Sequence, residues 1–152
     1  MSEDVYGRIG LLASRFRNAI DLALSENAEV RLYLRSFPKC CCGAASELLA
    51  QYLFENGIAA TYVDAAHYYD NEETAQNHAW LEVHPRLVVD ITRDQFRTDP
   101  DLSPWAFPVY VGDPDGFTRL FEPQWRSAPG YQQEGGWSEE QLIAYEIICS
   151  FL

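Results

Sequence analysis

Residues 77–92 read NHAWLEVHPRLVVDIT. Two runs rich in β-branched and aromatic residues, Asn77 to His84 and Leu87 to Thr92, flank a turn at Pro85-Arg86, the pattern of a β-hairpin. Its register decides what the hairpin can do. Side chains alternate along each strand, so residues across a hairpin share a face only when the turn pairs positions of equal parity. A three-residue turn over His84 to Arg86 sets Trp80 opposite Asp90 and makes His78 the diagonal neighbour of Asp90, roughly 7–8 Å away by backbone and within side-chain reach. A two-residue turn at Pro85-Arg86 would put His78 and Asp90 on opposite faces.

Working outward, Cys42 to Asn56 (CGAASELLAQYLFEN) is built of small and straight-chain residues, with Leu48, Leu49, Tyr52 and Leu53 on one face. These favour a helix, and Gly57 is a natural stop for it. A further strand follows over Ala59 to Asp64, separated from the hairpin by a polar loop (YYDNEETAQ). A helix followed by a small antiparallel sheet is an α+β pattern. At the start, Val5 to Glu26 places Ile9, Leu12, Phe16, Ile20 and Leu24 at helical spacing, as one amphipathic helix or two broken near Gly10. Val30 to Leu34 leads into Ser36-Phe37-Pro38, where the proline pushes Phe37 out of helical geometry, so a new helix must start beyond it. Residues 93 to 137, rich in Pro, Gly, Asp and aromatics, read as an irregular wrap with one short strand at Phe107 to Val111. The end, Ser138 to Leu152, opens on an N-cap serine with two acids behind it and reads as a packed closing helix.

Cys42 therefore sits at a helix start, where free backbone N–H groups and the helix dipole favour a thiolate and can serve as part of an oxyanion hole. Gly43 leaves room for a carbonyl to approach. A cysteine nucleophile also needs a base or cationic partner and a group that orients it. His78 and Asp90 supply these on the hairpin.

The order Cys42-Gly-Ala-Ala-Ser-Glu-Leu-Leu, Glu55-Asn-Gly-Ile-Ala-Ala, Asn77-His-Ala-Trp-Leu-Glu-Val and Val88-Val-Asp-Ile-Thr resembles the core of the transglutaminase-like superfamily. The resemblance covers residues 37 to 92. It implies a papain/transglutaminase-like core, with the catalytic helix packed on an antiparallel sheet between flanking N- and C-terminal helices. It also implies a Cys42, His78, Asp90 triad performing amide or thioester hydrolysis or acyl transfer. Ala44 stands where the family often has an acid, and the step from base to acid is shorter than is usual there.

At 152 residues the chain fits one domain, 1–152, large enough for a core without staples. With 23 acidic and 11 basic residues its net charge is −12, which opposes binding to nucleic acid and to anionic membranes. Acids in the first residues and the lack of a long apolar run argue for a cytoplasmic protein. Three consecutive cysteines, Cys40 to Cys42, form neither a disulfide framework nor a zinc knuckle, so no metal or cofactor is expected. Cys40, Cys41 and Cys149 read as packing residues or bystanders. His67 and His84 read as solvent-facing, Trp80 as core or cleft wall, and Glu82 as a polar strand residue. The expected partner is a peptide, protein or small acyl substrate, and the acids of Asp70 to Glu73 favour a basic or neutral one. The alternative to an enzyme is a degenerate member of the same fold that holds a peptide or protein in its groove.

Overall fold

A computed structural model describes residues 3–70, 74–132 and 135–152 of the chain. The amphipathic N-terminal stretch forms a single helix, α1 (Glu3–Glu26), with no break at Gly10. Nothing lies within 4 Å of where a Gly10 side chain would begin, and the buried stripe of Ile9, Leu12, Phe16 and Ile20 runs past it. Packing of that stripe outweighs the modest helix penalty of one glycine. The helix α2 (Ala28–Tyr33) is capped by the Asn27 side chain accepting from Val30 N–H at 3.0 Å. A chain of turns across Pro38 then leads to α3 (Cys42–Glu55). α3 ends where Gly57 takes φ +80, a conformation that glycine adopts without a Cβ penalty.

The sheet has five antiparallel strands in the order β4-β3-β2-β1-β5: β1 (Thr61–Tyr68), β2 (Ala75–Val83), β3 (Leu87–Asp90), β4 (Tyr110–Gly112) and β5 (Glu122–Ser127). One correction concerns the stretch read as irregular wrap. Besides the expected short strand, which pairs as β4 beside β3, it supplies β5 beside β1, so both sheet edges come from it. β5 escapes a pattern search because it is an edge strand with almost every residue exposed and a proline at position 123, so it has neither alternation nor an apolar run.

The two faces of the sheet carry different cores. On one face, Leu81, Val83, Leu87 and Val89 pack against Ala45, Leu48, Leu49 and Leu53 of α3 and Ile9, Phe16 and Ile20 of α1. The closing helix α5 (Glu139–Cys149), capped by Ser138, adds Tyr145 and Ile148 to this core. On the other face, Val63, Trp80 and Val88 meet Phe96, Leu102, Phe117 and Phe121, so residues 93–121 form the second cover. Within it, α4 (Gly116–Arg119) begins with a capping box at Asp115. Among the described residues no helix is long and apolar enough to cross a membrane.

Candidate catalytic site

The hairpin register is the one that joins His78 to Asp90. Leu81 pairs with Val89, Glu82 with Val88 and Val83 with Leu87, leaving His84 to Arg86 as the three-residue turn. The same spacing sets Trp80 level with Asp90 and His78 one diagonal step away. The side chains close that step, with His78 Nε2 2.6 Å from Asp90 Oδ2, both residues being about 1% exposed.

Asp90 is held from several directions. Its Oδ1 accepts from the Thr92 N–H at 3.0 Å, and Arg93 Nε lies 3.4 Å from Oδ2. Arg93 is itself fully buried, bound by both terminal nitrogens to Asp115 at 2.8 and 3.0 Å and sandwiched between the rings of Tyr110 and Phe117, 3.8 and 4.2 Å from their centroids. A buried carboxylate needs such partners to stay ionised. Burial alone would raise the pKa of Asp90, and His78, Arg93 and the Thr92 N–H together hold it below the ordinary carboxylate value.

His78 stands in an aromatic box, its ring centroid 5.1 Å from Phe96, 5.5 Å from Phe117, and 5.9 Å from both Trp80 and Phe121. Burial works against the imidazolium, but the charge and hydrogen bond of Asp90, with the Cys42 thiol, raise the pKa to about 9. With Nε2 committed to Asp90, Nδ1 is the nitrogen left to face the thiol.

Cys42 is the first residue of α3, and β3 ends at Asp90, before it could pair alongside His78 and Ala79. The thiol faces this open edge of β2, near enough to the His78 ring and the Ala79 N–H for both to favour its thiolate. Burial resists its ionisation, and these two interactions outweigh burial and the nearby Asp90 charge, so the pKa lies below that of an ordinary thiol. The neighbours behave differently. Cys41 is buried, donates to Arg35 O at 3.3 Å and is pushed up to about 11 by burial, while burial also raises Cys149.

The start of α3 is electrostatically open. The Cys41 side chain makes no cap bond, no acid stands in the first turn, and the first helical N–H bond is that of Ala45 to Cys41 O at 2.8 Å. The N–H groups of residues 42 to 44 thus have no intrahelical partner, as at any helix start. Gly43 admits the Tyr62 hydroxyl, which would lie 3.0 Å from an added Cβ. The space expected for a substrate carbonyl is, on that side, taken by Tyr62.

A cleft of about 570 Å³ opens on Cys42, lined also by Lys39, Cys40, Gln76, Asn77, Gln95, Phe96 and Asp99. Gln95 was not singled out by the sequence: its Nε2 donates to Thr92 O at 3.0 Å and lies 3.2 Å from His78 Nδ1. Nor does the sequence pattern single out Arg93. Only their position, within a few residues of Asp90, could have drawn attention to them. Arg17 of α1 anchors the turn that carries both, donating to Ile91 O at 2.7 Å and to the two oxygens of Asp94 at 2.9 and 2.8 Å.

The remaining expectations divide. His67 is buried, contrary to its solvent-facing reading, with Nδ1 3.0 Å from Leu120 O and Nε2 2.9 Å from Asp101. The strand expected over Ala59 to Asp64 runs on to Tyr68 as β1, and residues 99–121 cover its far end. His84 is exposed, Trp80 lies in the aromatic core, and Glu82 meets Arg126 at 3.3 Å on the surface. Residues 71–73 of the acidic loop lie outside the described residues. Among the described residues no group of three or more His, Cys, Asp and Glu side chains could hold a metal. Compared with family models, curated proteins and solved structures, the chain finds no match.

Proposed function

We propose that this protein is a cysteine-dependent amide or thioester hydrolase or acyltransferase of the transglutaminase-like type, with Cys42 as nucleophile, His78 as general acid and base, and Asp90 as orienting residue. One observation carries the reading: a thiol at a helix start lies beside a buried histidine whose Nε2 is fixed by a buried aspartate at 2.6 Å, and the histidine lowers the thiol's pKa. Such a group supplies a nucleophile well below the pH at which a free thiol ionises.

In the reaction, the Cys42 sulfur lone pair attacks the carbonyl carbon while the carbonyl π pair moves to oxygen. In this reading the N–H groups opening α3, which have no intrahelical partner, receive the oxyanion. As the tetrahedral species collapses, the bond to the leaving nitrogen or sulfur breaks and His78 delivers its Nδ1 proton to that atom. Water or an amine then gives its proton to His78 as it attacks the acyl-enzyme, and Cys42 leaves as the thiolate. Peptides, proteins and small acyl compounds can all present such a carbonyl.

The test is labelling with a neutral chloroacetamide probe at pH 6, with the modified peptides read by mass spectrometry. Fast labelling confined to Cys42 is the expected result. Slow labelling spread over the four cysteines would instead favour a module that uses the groove to hold a peptide or partner.

A further inference from the structure

Lys39 is the only lysine in a chain of net charge −12, and it lies three residues before Cys42 on the wall of the same cleft. Its backbone is fixed there, the N–H donating to Ser36 O at 2.8 Å within the turn that precedes α3. Lys39, Gln95 and Thr98 also line an adjoining groove of about 330 Å³, which holds Arg97.

The carboxylates along both clefts are already engaged. Asp94 has both oxygens bound by Arg17. Asp99 accepts from the Tyr69 hydroxyl and from the N–H groups of Asp101 and Leu102 at 2.8 and 3.0 Å. The cations are less committed. Lys39 is exposed and enters none of the ion pairs of the described residues, and Arg97, with a side chain 72% exposed, only touches Asp94 at 3.5 Å. A strongly acidic protein repels anions over most of its surface, so an unpaired cation at the mouth of a cleft is where an anion gains most.

We infer that the substrate of the Cys42 site carries a carboxylate close to its reacting carbon, and that Lys39 is the residue that selects it, with Arg97 extending the basic wall. This rests on the reading of Cys42 as a nucleophile. It reverses the preference for a basic or neutral substrate that the acids of residues 70–73 suggest.

The test compares two alkylating agents at pH 6 that differ only in charge, iodoacetate and iodoacetamide. In both, the Cys42 sulfur forms a bond to the methylene carbon while the carbon–iodine bond breaks and iodide leaves with the electron pair. Dividing the iodoacetate rate by the iodoacetamide rate cancels changes in thiolate supply. The ratio should fall about three- to tenfold in Lys39→Gln, fall further in Lys39→Glu and be retained in Lys39→Arg, as expected for one charge acting across a wet cleft. Raising the salt should shrink the difference between variants. An equal ratio in the parent, Lys39→Gln and Lys39→Glu would overturn the inference while leaving the nucleophile in place. If iodoacetamide labels Cys42 of the parent no faster than the other cysteines, the nucleophile reading fails, and the inference with it.

Discussion

His67 on β1 and His78 on β2 lie on the same face of the sheet, both against Phe121, each with Nε2 bonded to an aspartate, 2.9 Å from Asp101 and 2.6 Å from Asp90. The second nitrogen separates them. His67 Nδ1 lies 3.0 Å from the Leu120 carbonyl, so both its nitrogens face oxygen atoms. His78 Nδ1 instead meets the Gln95 amide at 3.2 Å, and the Cys42 thiol acts on the same ring. The aspartates differ as well, the side chain of Asp101 being 48% exposed and that of Asp90 1%. Water screens the first pair, while the second keeps its electrostatic influence. A His–Asp pair is therefore common structural material, and a helix start at the free nitrogen turns one such pair toward chemistry.

Replacing each histidine by glutamine breaks the comparison most directly. At pH 6 a thiol with an ordinary pKa of about 8.5 is ionised to well under one per cent. Loss of the imidazolium in His78→Gln should therefore slow Cys42 alkylation by roughly a hundredfold. His67→Gln should keep the rate within about twofold and cost about 1–2 kcal/mol of stability through its buried hydrogen bonds. Stopped-time alkylation and chemical denaturation measure the two effects separately. Equal rates in the two variants would mean that the site does not depend on His78.

The aspartates give the next largest effect. Asp90→Asn keeps the shape but removes the charge that holds the imidazolium, so alkylation at pH 6 should fall by roughly tenfold. Asp101→Asn and Glu82→Gln should each change it by less than about twofold, which controls for generic loss of negative charge. Stability carries a pH signature of known sign. The His78 pKa is raised from 6.5 to about 9, so the stability gained from its ion pair is fully present below about pH 6.5 and is lost as pH rises through 9. The Asp90 pKa is lowered, so its share is lost only on acidification. The melting-temperature gap between parent and Asp90→Asn should thus be widest at mildly acidic pH and narrow as pH rises through 9, leaving the share that Arg93 and the Thr92 N–H contribute. A gap that widens with alkaline pH would reverse the assignment of charge.

The legible parts of the site were those written in local pattern. Cys42 at the start of an apolar-faced helix, the stop at Gly57 and the hairpin around Pro85 all follow from backbone preferences of neighbouring residues. The register was narrowed to two choices, and the turn selected the one that brings His78 to Asp90. The hidden parts depend on contacts distant in sequence. His67 is buried by residues more than thirty positions away, β5 exists because β1 offers it an edge, and Arg93 is tolerated in the core because Asp115, Tyr110 and Phe117 converge on it. None of these partners leaves a periodic trace. Arg17 shows the same limit: it sits off the apolar stripe of α1, yet its guanidinium is bound to Ile91 and Asp94 across the fold.

Gln95 supplies the finest test of the comparison, because it occupies Nδ1 of His78 as the Leu120 carbonyl occupies Nδ1 of His67, but as a donor in place of an acceptor. Its Nε2 donates to Thr92 O, which fixes the amide so that nitrogen, not oxygen, faces the ring at 3.2 Å from Nδ1. A donor there suits an imidazole whose Nδ1 carries a lone pair, the state that accompanies a neutral thiol. An imidazolium bears its own hydrogen at Nδ1, and two donors then face one another. Gln95 therefore favours the uncharged Cys42–His78 pair and must turn aside for the ion pair to form. Gln95→Met preserves length and removes the donor. Cys42 alkylation at pH 6 should rise by about two- to fivefold, equivalent to a shift of under 1 kcal/mol toward the ion pair, and the midpoint of its pH profile should move to lower pH. A slower reaction in Gln95→Met would instead assign the amide to support of the thiolate, and would place it among the groups that hold the charged state.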